Sequence, residues 1–264
     1  MSLFVRFVAL AIVIASYLTG CKPGTLVNKP SDTDTVATEP RSSNRLAEIN
    51  TQLGVEYMKD GNYETALKKL QKALDVDPNY PRAYDVLGLL YNKLGENQRA
   101  AANFQRALDL APNDSSILNN YGQFLCRQDD AQQAQQLFAR AVQNPLYQTP
   151  EVAYTNAAIC ALEQQQDKDR AETFLREALT KNPEMPVALL QMTKLTFEQE
   201  KYLAARGYLE RYGQVAKHTP QSLWLGVRIE RKLGNEEAAD GYGVTLKGKY
   251  PDSAETRELL KTGQ

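Results

Sequence analysis

An all-α solenoid, in which hairpins of helices stack into a right-handed superhelix, is what this sequence predicts, and three observations carry the prediction. Gly54, Gly88 and Gly122 recur at intervals of 34 residues. Ala66, Ala100 and Ala134 repeat in step with them, and so do Ala73, Ala107 and Ala141. Small residues at fixed offsets within a constant period mean one supersecondary unit copied along the chain, each copy burying its apolar face against the next.

The N-terminal residues stand outside that array. Arg6 precedes an apolar run from Phe7 to Leu18. The run is shorter than the about 20 residues of a membrane span and suits a cleaved secretory signal, residues 1–20. It ends in Leu18-Thr19-Gly20-Cys21, which resembles the bacterial lipobox, so Cys21 is the expected lipidation site and its covalent lipid the only added group. An ordinary signal followed by a chance cysteine is the alternative. In lipoproteins of this type an aspartate after the cysteine favours retention in the inner membrane. Lys22 therefore implies an outer-membrane anchor facing the periplasm. Acyl chains at about 0.8 kcal/mol per buried CH₂ make such an anchor stable. Residues 21–45 carry Pro23, Pro30 and Pro40 among Ser, Thr and Asp. They read as a tether unable to offset its ordering entropy, with an extended reach of roughly 80 Å.

Residues 46–264 hold six repeats and a C-terminal tail, with repeats at about 47–80, 81–114, 115–150, 151–185, 186–218 and 219–252. The second is the cleanest. Tyr84, Leu87, Gly88, Tyr91, Ala100, Phe104, Ala107 and Pro112 fall where the tetratricopeptide pattern, which this unit resembles, places them. Gly88 and Ala100 let two helices cross closely, Tyr91 and Phe104 fill the space between neighbours, and Pro112 ends the second helix. The first repeat matches through Leu53, Gly54, Tyr57, Ala66, Leu70, Ala73 and Pro78; the third matches through Tyr121, Gly122, Ala134, Phe138 and Ala141. Two extra residues near Pro145 predict a bend or loosening after the third. The fourth keeps Tyr154, Ala171, Leu175, Ala178 and Pro183 with one extra residue between Gln164 and Asp169. The fifth retains Ala205 and Leu209, and the sixth Leu225, Gly226 and Ala238.

In this architecture the first helix of each repeat lines an inner groove. The inner positions include Val55, Met58, Leu89, Asn92, Asn119, Gln123, Ile159, Leu162 and Phe197. Val55, Met58, Leu89, Ile159, Leu162 and Phe197 form a discontinuous apolar strip suited to an amphipathic helix or an extended apolar peptide. Partial burial against neighbouring helices is the other explanation. Where co-chaperones of this type clamp a carboxylate with Lys, Asn and Arg, this chain has Thr51, Val55, Val86, Ser116 and Asn120, which argues against such a clamp. Cys126 and Cys160 lie at nearly equal heights on stacked first helices. From there they can approach the separation of about 5.5 Å between Cα atoms that a disulfide requires, and an oxidising periplasm favours pairing. Two separately buried thiols are the alternative.

A net charge of −1 gives no reason to expect nucleic acid, and one histidine with three cysteines leaves little material for a metal site. His218 has no nucleophile pattern around it, and Gly241-Tyr242-Gly243 lacks the setting of a phosphate loop, so no catalytic site is expected.

The lipobox, the tether, the six repeats, the run Leu118-Asn119-Asn120-Tyr121-Gly122-Gln123-Phe124-Leu125 and the stretch from Leu223 to Asp252 together resemble the type IV pilus biogenesis and stability lipoproteins, which include the pilotins. The likeness covers nearly the whole mature chain. It implies a partner, the pilus secretin subunit, which the protein helps to reach the outer membrane and assemble into its multimer. The cysteines of repeats three and four match a disulfide found in part of that family. A lipoprotein of outer-membrane protein assembly or an adaptor for cell-wall enzymes is the competing scaffold.

Overall fold

The computed structural model describes residues 40–164 and 166–262, with side chains from residue 44 onward. Cys21, the signal segment and residues 21–39 of the tether lie outside the described residues. Thirteen α-helices and no strand occur among the described residues. They form six hairpins and a closing helix. The first helices are α1 (Pro40–Lys59), α3 (Pro81–Lys93), α5 (Ser115–Arg127), α7 (Pro150–Gln164), α9 (Pro186–Glu198) and α11 (Pro220–Lys232). Their partners are α2 (Tyr63–Val76), α4 (Asn97–Leu110), α6 (Ala131–Gln143), α8 (Lys168–Lys181), α10 (Tyr202–Val215) and α12 (Glu236–Lys249), and α13 (Ala254–Thr262) packs on α11 and α12.

Local chemistry sets the helix boundaries. Proline opens α3, α9 and α11, where its missing N–H costs nothing. Side chains of Asn62, Asp114, Asp130, Asp167 and Asn235 accept first-turn N–H groups, and Thr219 with Ser222 forms a capping box on α11. Each turn inside a hairpin contains one residue with positive φ. In three of them it is glycine (Gly61, Gly95 and Gly234), and in the others it is Asp129, Gln166 or Glu200. Pro40 also starts a helix, so α1 extends six residues into the stretch read as tether. Arg41 through Arg45 contains no helix breaker, and a proline is tolerated at a helix start.

Within a hairpin the small residues bring the helices together. A methyl group on Gly88 would lie 2.7 Å from the Phe104 ring; on Gly54, 2.8 Å from Leu70; on Gly122, 2.9 Å from Phe138; and on Gly226, 2.8 Å from the Tyr242 ring. In repeats four and five the matching first-helix residues are Ala158 and Thr193, both fully buried, and the second helices carry Leu175 and Leu209. The alanines at 66, 100, 134, 171 and 205 are fully buried. Between hairpins, Phe104, Tyr121 and Phe124 join repeats two and three with ring centroids 5.3 to 6.2 Å apart. Arg206 of α10 grips the buried Glu230 of α11 with two hydrogen bonds, one of them 2.8 Å.

The insertion after repeat three does not loosen the array. Second helix α6 packs on α7 more extensively than any other second helix packs on its successor. Tyr147 folds against the core, and the Gln135 side chain donates to the Ala157 carbonyl at 2.9 Å in a buried position. The extra residue of repeat four is absorbed at the end of α7, where the Asp167 N–H reaches back six residues to the Ala161 carbonyl. At the end of α3, the Glu96 N–H reaches back five, to Tyr91.

Gly88→Ala is expected to destabilise the array by about 1–3 kcal/mol, because the new methyl group meets a buried ring with nowhere to go. Gly207→Ala, in α10 where an added methyl group meets open space, is expected to stabilise by roughly 0.5–1 kcal/mol. Urea unfolding followed by circular dichroism checks both. Equal midpoints for the two variants would contradict the close-approach reading.

Candidate functional site

Each first helix from α1 to α9 packs against the first helix of the next hairpin, whereas no second helix contacts the neighbouring second helix among the described residues. One layer is dense and the other splayed, so the array curves around the first helices. Their outward faces line the inner groove.

Between α3 and α7 this groove is stitched shut by amides. Asn120 donates to both carboxylate oxygens of Asp85 at 3.2 and 3.0 Å, and Asn119 donates to Asn120 at 3.4 Å. Asn156 donates to Asn119 at 2.9 Å, and Gln123 to Asn156 at 3.3 Å. Five polar side chains thus bind three stacked helices together. Asp85 is only 3% exposed and Asn119 6%. Burial pushes the Asp85 pKa up to about 7, against the opposing pull of the Asn120 hydrogen bonds and Arg82. Cys126 of α5 and Cys160 of α7 are joined beside this ladder by a disulfide, with Cα atoms 5.8 Å apart.

Several residues of the expected strip are committed to packing. Val55, Met58 and Leu89 are half-buried against the first core cluster, Leu162 against the second, and Phe197, at 9% exposure, belongs to the third. Ile159 and Asn92 are half-buried on the groove face. Asn119 and Gln123 belong to the ladder, so their amides serve the scaffold.

The groove opens in its C-terminal half. A cavity of about 290 Å³ between α7 and α9 is lined by Leu162, Gln191, Lys194, Leu195 and Glu198, among others. A second, of about 330 Å³, lies between α9, α11 and α13, with Phe197, Trp224, Leu225 and Arg228 on its walls. Lys194 and Glu198 line both cavities, which are therefore neighbours along the inner face. The Arg228 guanidinium stacks over the Phe197 ring at 4.4 Å. Trp224 and Arg228 are absent from the expected groove set. Continuing the inner-position rule from Pro220 into the sixth repeat reaches them, but that repeat's weak match hid the phase. His218 packs between Tyr212 and Tyr242, with Nδ1 3.1 Å from the Ser222 hydroxyl. Burial, with Lys249 nearby, holds its pKa below the ordinary value.

The raised Asp85 pKa has a defined sign. The folded chain holds that proton more tightly than the unfolded chain between pH ~4 and the folded value. Its contribution to stability is therefore complete below that window and falls as pH rises to about 7. Asp85→Asn, which keeps an acceptor for Asn120, is expected to flatten this slope and to be at least as stable as the wild type above about pH 8. Denaturant midpoints across pH test it, and an unchanged slope would contradict it. Replacing Cys126 and Cys160 together with alanine is expected to cost up to about 3–4 kcal/mol from loss of the closed loop. Urea midpoints of the double variant and the oxidised wild type measure that cost.

The tetratricopeptide-repeat family matches residues 54–95, 81–114 and 103–136. The type IV pilus assembly protein PilF of Pseudomonas aeruginosa is 30% identical over 251 residues, which is 95% of this chain and 96% of that one. The crystal structure of PilW, a widely conserved type IV pilus biogenesis factor, superposes with a TM-score of 0.73 at 32% identity, covering 81% of this chain and 98% of PilW. The P. aeruginosa PilF structure superposes with a TM-score of 0.76 at 29% identity, covering 84% and 99%. A relationship that spans nearly the full length of both chains, on the same stacked hairpins, places this chain in the family of tetratricopeptide-repeat type IV pilus biogenesis factors.

Proposed function

We propose that this protein is an outer-membrane lipoprotein scaffold of the pilotin kind, which binds the type IV pilus secretin subunit and promotes its localisation and multimer assembly. The observation that carries the reading is the near full-length relationship to a pilus assembly protein, and the cavities beyond the amide ladder provide a surface for a partner. The Leu18-Thr19-Gly20-Cys21 run supports acylation at Cys21.

The mechanism separates destination from recognition. Acyl chains on Cys21 partition into the membrane, with each buried CH₂ contributing about 0.8 kcal/mol, and the residues between Cys21 and α1 give the repeats room to search. A secretin subunit carries unpaired strand edges and apolar surface until its ring closes. Holding one such segment in the groove delays pairing with the wrong neighbour and releases it when the proper neighbour arrives. No step requires bond chemistry, and the scaffold acts by binding alone.

Deleting the gene and restoring it as wild type or as Cys21→Ala tests this. The expected outcome is loss of the stable secretin multimer on deletion, recovery with the wild type, and absent or misplaced multimers with Cys21→Ala. Normal outer-membrane multimers in the deletion strain would overturn the proposal and direct attention to pilus stability or to outer-membrane protein assembly.

A further inference from the structure

The cavity between α9, α11 and α13 has the composition of a side-chain receptor. Its floor and walls are apolar: Phe197 and Leu225 are nearly buried and Trp224 is half-buried. Its rim is charged, and the charges are unequally committed. Glu198 is paired with Lys168 at 2.9 Å. Arg228 is exposed, held only by its stacking on Phe197, and neither it nor Lys194 makes an ion pair or side-chain hydrogen bond among the described residues. Glu255, at the start of α13, is the one acidic residue opposite them that lacks an ion-pair partner among the described residues. The rim therefore presents two uncommitted cations against one uncommitted carboxylate, beside an apolar recess. A guanidinium already desolvated on one face by an aromatic ring is well suited to grip a carboxylate with its remaining donors.

We propose that this cavity binds an acidic peptide segment, seating one bulky apolar side chain against Phe197, Trp224 and Leu225 while a neighbouring carboxylate pairs with Arg228 and Lys194. The neighbouring cavity, which shares Lys194 and Glu198 with this one and reaches Leu162, offers the rest of an extended segment a place on the inner face. The inference rests on the reading of the chain as a protein-binding scaffold and deepens it by naming the chemistry of the bound segment. It does not depend on which protein supplies that segment.

Trp224 is the only tryptophan in the chain, so emission of the full-length protein under tryptophan-selective excitation, which leaves its tyrosines dark, reports on this cavity. The probes are three capped hexapeptides: one with adjacent aspartate and phenylalanine, one with lysine in place of the aspartate, and one with alanine in place of the phenylalanine. The first is expected to shift Trp224 emission with a Kd of about 1 mM or tighter. The other two are expected to bind at least about tenfold more weakly. Arg228→Glu is expected to reverse the order of the aspartate and lysine peptides, a gain that a damaged fold cannot imitate. Circular dichroism confirms that the variant retains its helices.

Equal binding of the aspartate and lysine peptides by the wild type, or no emission change with any peptide, would overturn the proposal without any variant being needed. If Arg228→Glu also abolishes the secretin multimer in cells, the cavity serves the proposed partner. If the peptide preference fails while the multimer still depends on the gene, this cavity is excluded and the scaffold role stands.

Discussion

The structure depends on one contact made again and again, the crossing of two helices at a residue too small to hold them apart. At Gly88 the gap is filled by the Phe104 ring, and at Gly226 by Tyr242. Helix separation fixes the shape of each hairpin, the shape of the hairpin fixes how the next one stacks, and a small constant rotation between copies becomes curvature. Even the repeats that lack glycine keep the balance. Ala158 and Thr193 sit in hairpins whose second helices carry Leu175 and Leu209 where Phe104 stands in repeat two. The inner groove is the visible result of a packing volume held nearly constant along the array.

The same groove is used in two ways. From α3 to α7 it is closed by a chain of amides ending on the buried Asp85, which gives the first half of the inner face its rigidity. Beyond α7 that chain stops and the first helices meet less closely, leaving space between α7, α9 and α11. Rigidity and vacancy therefore occupy different halves of one surface. A groove residue in the first half serves mainly to hold the stack, and one in the second half has more freedom to serve a ligand.

What could be read from the sequence follows from what each feature depends on. Small residues at a fixed interval depend only on period, so the hairpins are legible from Gly54 to Ala141, and the pattern fades where Thr193 stands in place of a glycine. Inner-face position is legible as well, which places Val55, Leu89 and Phe197 on the groove. The extent of their burial is not, since it depends on how closely the next hairpin approaches, so exposure and partial burial both stay open. Asn119 and Gln123 looked like ligands for a partner because an amide on a groove face carries no mark of whether its bond is made internally. The pairing of Asn120 with Asp85 spans 35 residues and exists only once two repeats are stacked. Trp224 and Arg228 are not legible as groove residues because the sixth repeat matches the pattern too weakly to set its phase.

The Cys126–Cys160 bridge spans a sequence separation of 34, one repeat length, and joins helices of two different hairpins. Without it, every link between non-adjacent helices is non-covalent, and a stack of this kind unzips from its ends, one unit at a time. The bridge gives such unzipping a place to stop. With α5 and α7 held together, the middle of the array stays in register while the outer hairpins open and close, and rewinding always starts from a correctly aligned template.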